Sequence, residues 1–151
     1  MISRYPPLVI LNRTQRSIKE RMCDLTGFFL STRAKSLVAQ IRSRPEPDWQ
    51  AWGPDSKRRE FAQYVSKVFA SEIGWPSPHF IPDDPYAAVS FNFRYDGVFW
   101  DGMELECIFL KLRQELNLEF SCELLNSFER LSFGEVIEIL MSRSRNPSPP
   151  S

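Results

Sequence analysis

The sequence predicts an α+β fold that is mainly α, with an N-terminal helical arm, a central aromatic β-hairpin and a C-terminal helical pair. Three observations predict this class. Apolar residues recur at helical spacing in several stretches, one central stretch alternates apolar and polar residues, and Pro-rich connectors separate the stretches. The chain has 151 residues, of which 42% are hydrophobic and 13% aromatic. This is enough apolar material for one packed core.

Residues 1–44 form a basic helical arm in this interpretation. The apolar run 8–11 follows Pro6-Pro7 and predicts a short buried strand or an anchor. Residues 32–43 predict a helix that carries apolar side chains. The arm contains nine Lys or Arg and only two acidic residues. An earlier helix, starting near Asn12, is predicted by the i, i+4, i+7, i+11 spacing of Ile18, Met22, Leu25 and Phe29.

Residues 45–142 form the predicted globular α+β core. It begins with a Pro-rich connector, where Trp49 and Trp52 are expected to clamp the connector onto the domain. The clearest helix follows, because Asp55 or Ser56 can cap its start and Gly74 can end it in a left-handed conformation.

The central hairpin is predicted from strict alternation. A second Pro-rich connector ends in Asp84-Pro85, which can open a turn of helix. Asp96-Gly97 is a favoured hairpin turn that leads into residues 98–100. The first strand of the hairpin is predicted from the alternating apolar residues Val89, Phe91, Phe93 and Tyr95.

The C-terminal helices are predicted from their caps and apolar spacing. Asp101 caps a helix that reaches Leu116, in which Cys107 is expected to be a buried thiol. Ser132 and Glu135 form a capping box at the start of the last helix. Residues 143–151 contain three prolines and predict a disordered tail. We interpret residues 1–44, 45–142 and 143–151 as one domain overall.

The number and positions of the cysteines and of the histidine argue against a zinc site and against a disulfide framework. The three cysteines are far apart, and His79 is the only histidine. A Cys/His zinc site therefore has too few ligands, and a disulfide framework is not expected. We predict a reducing, cytoplasmic setting. No apolar run approaches the roughly 20 residues that span a bilayer, so no membrane association is expected.

Residues 101–140 resemble an acyl carrier protein. The stretches DGMELECIFLKLRQELNLEF and LSFGEVIEIL are similar to that family's helix start, amphipathic helix and final helix. The family attaches phosphopantetheine to a serine, but Gly102 stands at that place and has no hydroxyl. The resemblance implies a carrier-like helical tail that cannot carry phosphopantetheine. It also implies an acidic face for a partner, formed by Asp101, Glu104 and Glu115.

No complete catalytic set is visible, so we predict no catalytic, cofactor-binding or metal-binding residues and no cofactor. A nucleophile needs a nearby base, and the only histidine lies between prolines and aromatics. The competing hypothesis is a metal-dependent enzyme that uses an Asp-rich cluster. Its residues would be His79, Asp83, Asp84 and Asp96.

Charge is divided between the two halves of the chain, although the net charge is zero. Residues 1–72 contain 13 basic and 7 acidic side chains, whereas residues 73–151 contain 6 and 12. This division favours a protein partner or self-association. We predict a non-enzymatic protein-binding or adaptor module, for which an immunity protein is one setting. Nucleic-acid binding through the basic N-terminal arm is the third hypothesis, and it is disfavoured because no module signature is present.

Overall fold

The computed structural model describes residues 3–12, 32–93 and 103–144, and these residues are mainly helical. Short 3-10 helices are found at Trp49–Trp52 and Phe128–Arg130. The α-helices of the described residues are α1 (Thr32–Arg42), α2 (Ser56–Ile73), α3 (Tyr86–Val89), α4 (Met103–Leu116), α5 (Cys122–Ser127) and α6 (Phe133–Arg143).

The predicted α+β class is wrong, because the described residues contain no strand and hence no central β-hairpin. The β-type pairing in the described residues is an isolated antiparallel bridge between Pro85 and Ser132. Val89, assigned to the first strand, is the last residue of α3. Residues 94–100, the rest of the predicted hairpin, lie outside the described residues.

The alternation around Phe91 and Phe93 reflects burial and not strand pairing. The Phe91 side chain is buried, and the Phe93 ring packs on Trp75 with 4.8 Å between ring centroids. Their two rings lie 6.2 Å apart. Side chains at positions i and i+2 point to the same face of a strand, but an irregular backbone can also direct both of them into one core. Period-2 alternation therefore identified the buried side chains of Val89 and Phe91, but it missed the burial of Ser90 and predicted the wrong backbone hydrogen bonding.

The long helix α2 confirms the prediction made from its caps. The Asp55 side chain accepts a hydrogen bond from the Lys57 N–H, and Gly74 ends the helix with a φ of 92°. The helix contacts both α4 and α6. It is the central element of the core, and its buried face consists of Phe61, Ala62, Val65, Ser66, Val68, Phe69 and Ala70.

Aromatic side chains fill the space between these helices. The Phe133 ring lies edge-on to Phe69 and Phe80 with 5.6 Å between centroids in both pairs, and edge-on to Trp52 at 5.9 Å. Edge-to-face pairs of this kind contribute about 0.5–1.5 kcal/mol beyond the burial of their area. The clamp predicted for Trp52 is confirmed, since its side chain is buried and its indole N–H donates to the Phe80 carbonyl over 3.3 Å.

The start of α6 is joined to the connector before α3. The predicted capping box of Ser132 and Glu135 is present. The Phe133 N–H donates to the Asp84 carbonyl over 2.7 Å, and the Gly134 N–H donates to the Pro82 carbonyl over 2.9 Å. The first amides of a helix lack partners within the helix, and here a distant segment supplies them.

The N-terminal region contributes to the same core. Leu8 is buried within an extended segment, and α1 (predicted as residues 32–43) buries Ala34, Leu37 and Ile41. The Val9 N–H and carbonyl both bond to the Gln40 side-chain amide, over 2.8 and 2.9 Å. The run 8–11 is therefore an anchor. The helix predicted from Ile18 to Phe29 falls outside the described residues.

The burial predicted for Cys107 is wrong, because its side chain is exposed. Helix α4 buries Ile108, Leu112 and Leu116, which are spaced four residues apart on one face. Cys107 precedes this face by one position, about 100° around the helix. In the part of the chain described here, no helix has the length and apolar character needed to cross a bilayer.

Candidate functional site

A buried ion pair occupies the region where the sequence predicted an Asp-rich cluster. The side chains of Arg44 and Asp84 are 2% and 0% exposed. Arg44 Nη1 donates to Asp84 Oδ2 over 2.7 Å, and Arg44 Nη2 donates to Oδ1 over 2.8 Å. Such a bidentate pair has fixed geometry as well as complementary charge.

Backbone groups occupy further hydrogen-bonding positions on both side chains. Asp84 accepts from the Leu8 N–H over 2.9 Å and from the Ile81 N–H over 2.8 Å. Arg44 donates to the Pro6 carbonyl over 2.7 Å and to the His79 carbonyl over 3.0 Å. The pair therefore fastens three separate segments of the chain together.

The His79 side chain also contacts Arg44, at the Arg44 main chain. The His79 Nδ1 atom lies 2.7 Å from the Arg44 carbonyl oxygen. Because a carbonyl oxygen only accepts hydrogen bonds, Nδ1 must carry the proton. This hydrogen bond orients the imidazole, and it joins the connector that contains His79 to the main chain at Arg44.

Three of the four predicted cluster residues are described, and they do not converge. Asp84 bonds to Arg44, His79 faces the Arg44 carbonyl, and the Asp83 side chain is exposed. Asp96 lies outside the described residues. Within residues 3–12, 32–93 and 103–144, no group of three or more His, Cys, Asp or Glu side chains could hold a metal ion. The four hydrogen bonds to Asp84 also occupy both of its oxygens, which makes this carboxylate a structural group.

A groove of about 610 Å³ opens between α4 and the segment that contains α5 and the second 3-10 helix. Phe109 and Tyr86 are buried at its base, whereas Leu110 is 54% exposed at its edge. The groove is lined by Tyr86, Leu105, Glu106, Phe109, Leu110, Arg113, Phe120, Leu125, Asn126 and Glu129.

The spacing of α4 explains how one helix serves both the core and this groove. Leu105, Phe109 and Arg113 follow each other at intervals of four residues and face the groove. This row lies beside the core row of Ile108, Leu112 and Leu116. The two rows together give α4 a wider apolar surface than one neighbouring helix covers.

The edge of the groove is charged and the base is apolar. Glu106, Arg113 and Glu129 are exposed, and in the described part of the chain no hydrogen bond or ion pair engages their side chains. Burial raises the pKa of the Tyr86 phenol above its ordinary value of 10.0, and the negative charge of Glu129 raises this pKa further. Tyr86 therefore stays neutral at physiological pH.

A smaller recess of about 250 Å³ adjoins the groove. It lies beside α3, and Glu129 lines both the recess and the groove. Arg33 stands at the recess with its guanidinium carbon 5.2 Å from the centre of the Phe91 ring. The recess is lined by Ile10, Arg33, Ala87, Ser90, Phe91, Asn92 and Glu129.

The acidic partner face predicted from the carrier resemblance differs from the acidic edge of this groove. Glu115 is exposed near the end of α4 and is not a lining residue. Asp101 and the side chain of Glu104 lie outside the described residues. Sequence reasoning missed Glu106 and Glu129, although the helical spacing of Leu105 and Phe109 contained a signal for a second apolar face.

Comparison of the chain with protein-family models, curated protein sequences and solved structures found no match.

Proposed function

We propose that this chain is a non-enzymatic protein-binding module that receives an apolar helical segment of another protein in the groove beside α4. The observation that carries the proposal is Leu110, a large apolar side chain left 54% exposed at the edge of an apolar groove. Contiguous exposed apolar surface with a polar edge is typical of interaction sites.

The composition of the groove favours binding over catalysis. Its lining residues include no His, Cys, Ser or Lys among those described. A buried nucleophile with an adjacent base is therefore missing from this lining. The carboxylates of Glu106 and Glu129 are exposed at the edge, and the Tyr86 phenol, whose pKa is raised by burial and by Glu129, is buried and neutral.

The dimensions of the groove favour a helix over a small molecule. Residues 105–113 of α4 extend about 12 Å along the helix axis, which corresponds to two turns of a partner helix lying alongside. Pockets for small molecules enclose most of their ligand and direct several polar groups inward. Here the charged side chains lie at the outer edge.

The carrier resemblance of residues 101–140 remains a prediction and agrees with a docking role. A chain with Gly102 in place of the serine would retain partner binding without a prosthetic group. The metal-dependent enzyme and nucleic-acid hypotheses also remain predictions, and no geometry of the described residues favours them.

The proposal is tested with two fluorescein-labelled helical peptides of 14 residues. Both carry Leu at an i, i+3, i+4, i+7 spacing; one has Lys at its charged positions and the other has Glu. We expect at least one peptide to bind, as measured by fluorescence anisotropy. We expect Leu110→Asp to weaken binding at least tenfold, because it replaces an exposed apolar contact at the edge of the groove with a charge.

The matched control is Val9→Asp, since Val9 is 61% exposed and lies away from the groove lining. This variant should bind the peptide within twofold of the original protein. If Leu110→Asp and Val9→Asp behave alike, the proposal is wrong. A second experiment uses sodium dodecanoate as a competitor. If it displaces the peptide at a concentration below the peptide's own Kd, the groove is a lipid site and the proposal is wrong.

A further inference from the structure

We infer that the groove selects a basic amphipathic helix and that Glu129 is the residue that sets this preference. The inference rests on the proposed function and adds the charge of the partner.

Glu106 and Glu129 line the groove from two different elements. Glu106 belongs to α4, and Glu129 belongs to the second 3-10 helix. Both are exposed, and neither has an ion-pair partner among the described residues. Each carboxylate is therefore available to a cation on a helix that fills the apolar base.

Glu129 has the more central position. It is the lining residue shared by the groove and the smaller recess, so it stands where the two join. A helix long enough to cover both must pass this carboxylate. A basic side chain at that point gains an ion pair, whereas an acidic side chain meets a like charge.

The surrounding charges strengthen the same preference. Residues 103–130 contain six acidic and three basic side chains. One of the basic residues, Lys111, already lies 3.6 Å from Glu72 of α2. Arg113 and Arg130 are the remaining cations of this segment, and among the lining residues of the groove two carboxylates, Glu106 and Glu129, accompany one cation, Arg113.

Arg113 does not reverse this preference. It lies seven residues from Glu106 on α4, about 10 Å along the helix axis. It can accept one acidic residue near the end of a partner helix while Glu106 and Glu129 accept basic residues. The expected ligand is therefore an amphipathic helix with a Leu or Phe stripe and Lys or Arg on both flanks.

The test compares the Lys-containing and Glu-containing peptides on the intact protein. We expect the Lys peptide to bind at least tenfold more tightly at 50 mM NaCl, and the difference to shrink at 500 mM NaCl because salt screens exposed charges. The double variant Glu106→Gln, Glu129→Gln should raise the Kd for the Lys peptide about three- to thirtyfold.

The matched control is the double variant Glu119→Gln, Glu123→Gln. It makes the same change in net charge at two exposed positions that do not line the groove. An equal effect of the two double variants would show that only net charge matters and would overturn the inference. The single variant Glu129→Gln should produce more of the loss than Glu106→Gln.

The outcomes separate this inference from the proposed function. If both peptides bind equally and Leu110→Asp abolishes both, the groove binds helices without charge selection, and only the inference fails. If neither peptide responds to Leu110→Asp, the proposed function fails. Preference for the Glu peptide would overturn the inference and would assign the selection to Arg113.

Discussion

Arg44 and Asp84 illustrate what a charged pair requires when it is withdrawn from water. Desolvating two ions is expensive, and their attraction offsets the cost only if their hydrogen-bonding positions are used. Asp84 accepts four hydrogen bonds, and Arg44 also donates to two carbonyls. The pair therefore stabilises this arrangement of segments, and loss of one partner is costly.

We expect Asp84→Asn to destabilise the protein by about 3–5 kcal/mol, because the Arg44 charge would remain buried without its counter-ion. The measurement is the free energy of unfolding in urea, followed by circular dichroism. Asp83→Asn, at the exposed neighbouring position, is the control and should change this free energy by less than about 0.5 kcal/mol. Similar stabilities for the two variants would contradict the structural role of Asp84.

The role of Asp84 could not be predicted from the sequence. Its neighbours Asp83 and Pro85 are typical of a turn or a helix start, and carboxylates in series also suggest a cation site. Its partner is 40 residues away in the chain. No local pattern connects two residues at that separation, so the sequence alone could not assign the Asp84 carboxylate to an ion pair with Arg44.

Helix ends were predicted well because their determinants are local. Asp55, Gly74 and the Ser132–Glu135 capping box act on residues within four positions of themselves. The hairpin prediction failed because strand pairing depends on a neighbouring strand, which the local alternation of Phe91 and Phe93 does not specify. The groove was missed for a related reason, since α4 alone does not show how much of its apolar surface is covered.

Gly134, in the first turn of α6, is required by the close approach of the connector. A Cβ atom there would lie 2.8 Å from the Pro82 Cβ and 3.1 Å from the Pro82 carbonyl oxygen. We expect Gly134→Ala to destabilise the protein by about 1–3 kcal/mol, although alanine favours helix formation by about 1 kcal/mol. Thermal unfolding provides the measurement.

Gln114→Ala, on the exposed surface of α4, is the control for the helix propensity of alanine. It should leave the melting temperature unchanged or slightly higher. If Gly134→Ala raises the melting temperature to the same extent, the contact between α6 and the connector is looser than described.

At the scale of the whole molecule, the two oppositely charged halves pair with each other in places. Arg58 Nε lies 2.5 Å from a Glu138 carboxylate oxygen, which joins α2 to α6. Lys111 and Glu72 join α4 to α2. The sequence shows the net charge of each half. Which side chains form ion pairs depends on how the helices pack, and the sequence does not show this directly.

The N-terminal segment makes the stability of the molecule depend on pH. Burial alone would raise the pKa of Asp48, but hydrogen bonds from the Arg4 N–H, the Ser3 hydroxyl and the Ala51 N–H hold this pKa below its ordinary value of 3.8. A carboxyl with a lowered pKa in the folded state stabilises the fold above its unfolded-state pKa. This stabilisation is lost as the pH falls through the folded-state pKa.

We therefore expect Asp48→Asn to be less stable than the original protein by about 1–2 kcal/mol at pH 7. The difference should hold down to about pH 4 and should disappear at lower pH, as the original Asp48 becomes protonated. Urea unfolding of both proteins at pH 7, 5, 4 and 3 measures it. The pKa of Glu135 is also lowered, by hydrogen bonds from the Ser132 N–H and hydroxyl. Glu135 is present in both proteins, so its contribution to the pH dependence cancels when their stabilities are compared. A difference that stays constant down to pH 3 would contradict the prediction.

Residue 84 touches distant parts of the chain in two ways, through its carboxylate to Leu8 and through its carbonyl oxygen to Phe133. Detachment of residues 3–12 would thus remove the Leu8 N–H from Asp84 and the Pro6 carbonyl from Arg44, and it would loosen the backbone on which α6 begins. A bulky tag placed within residues 6–8 would weaken the far C-terminal helix without touching it. The same tag attached after Arg143 would leave Asp84 and both of its contacts undisturbed.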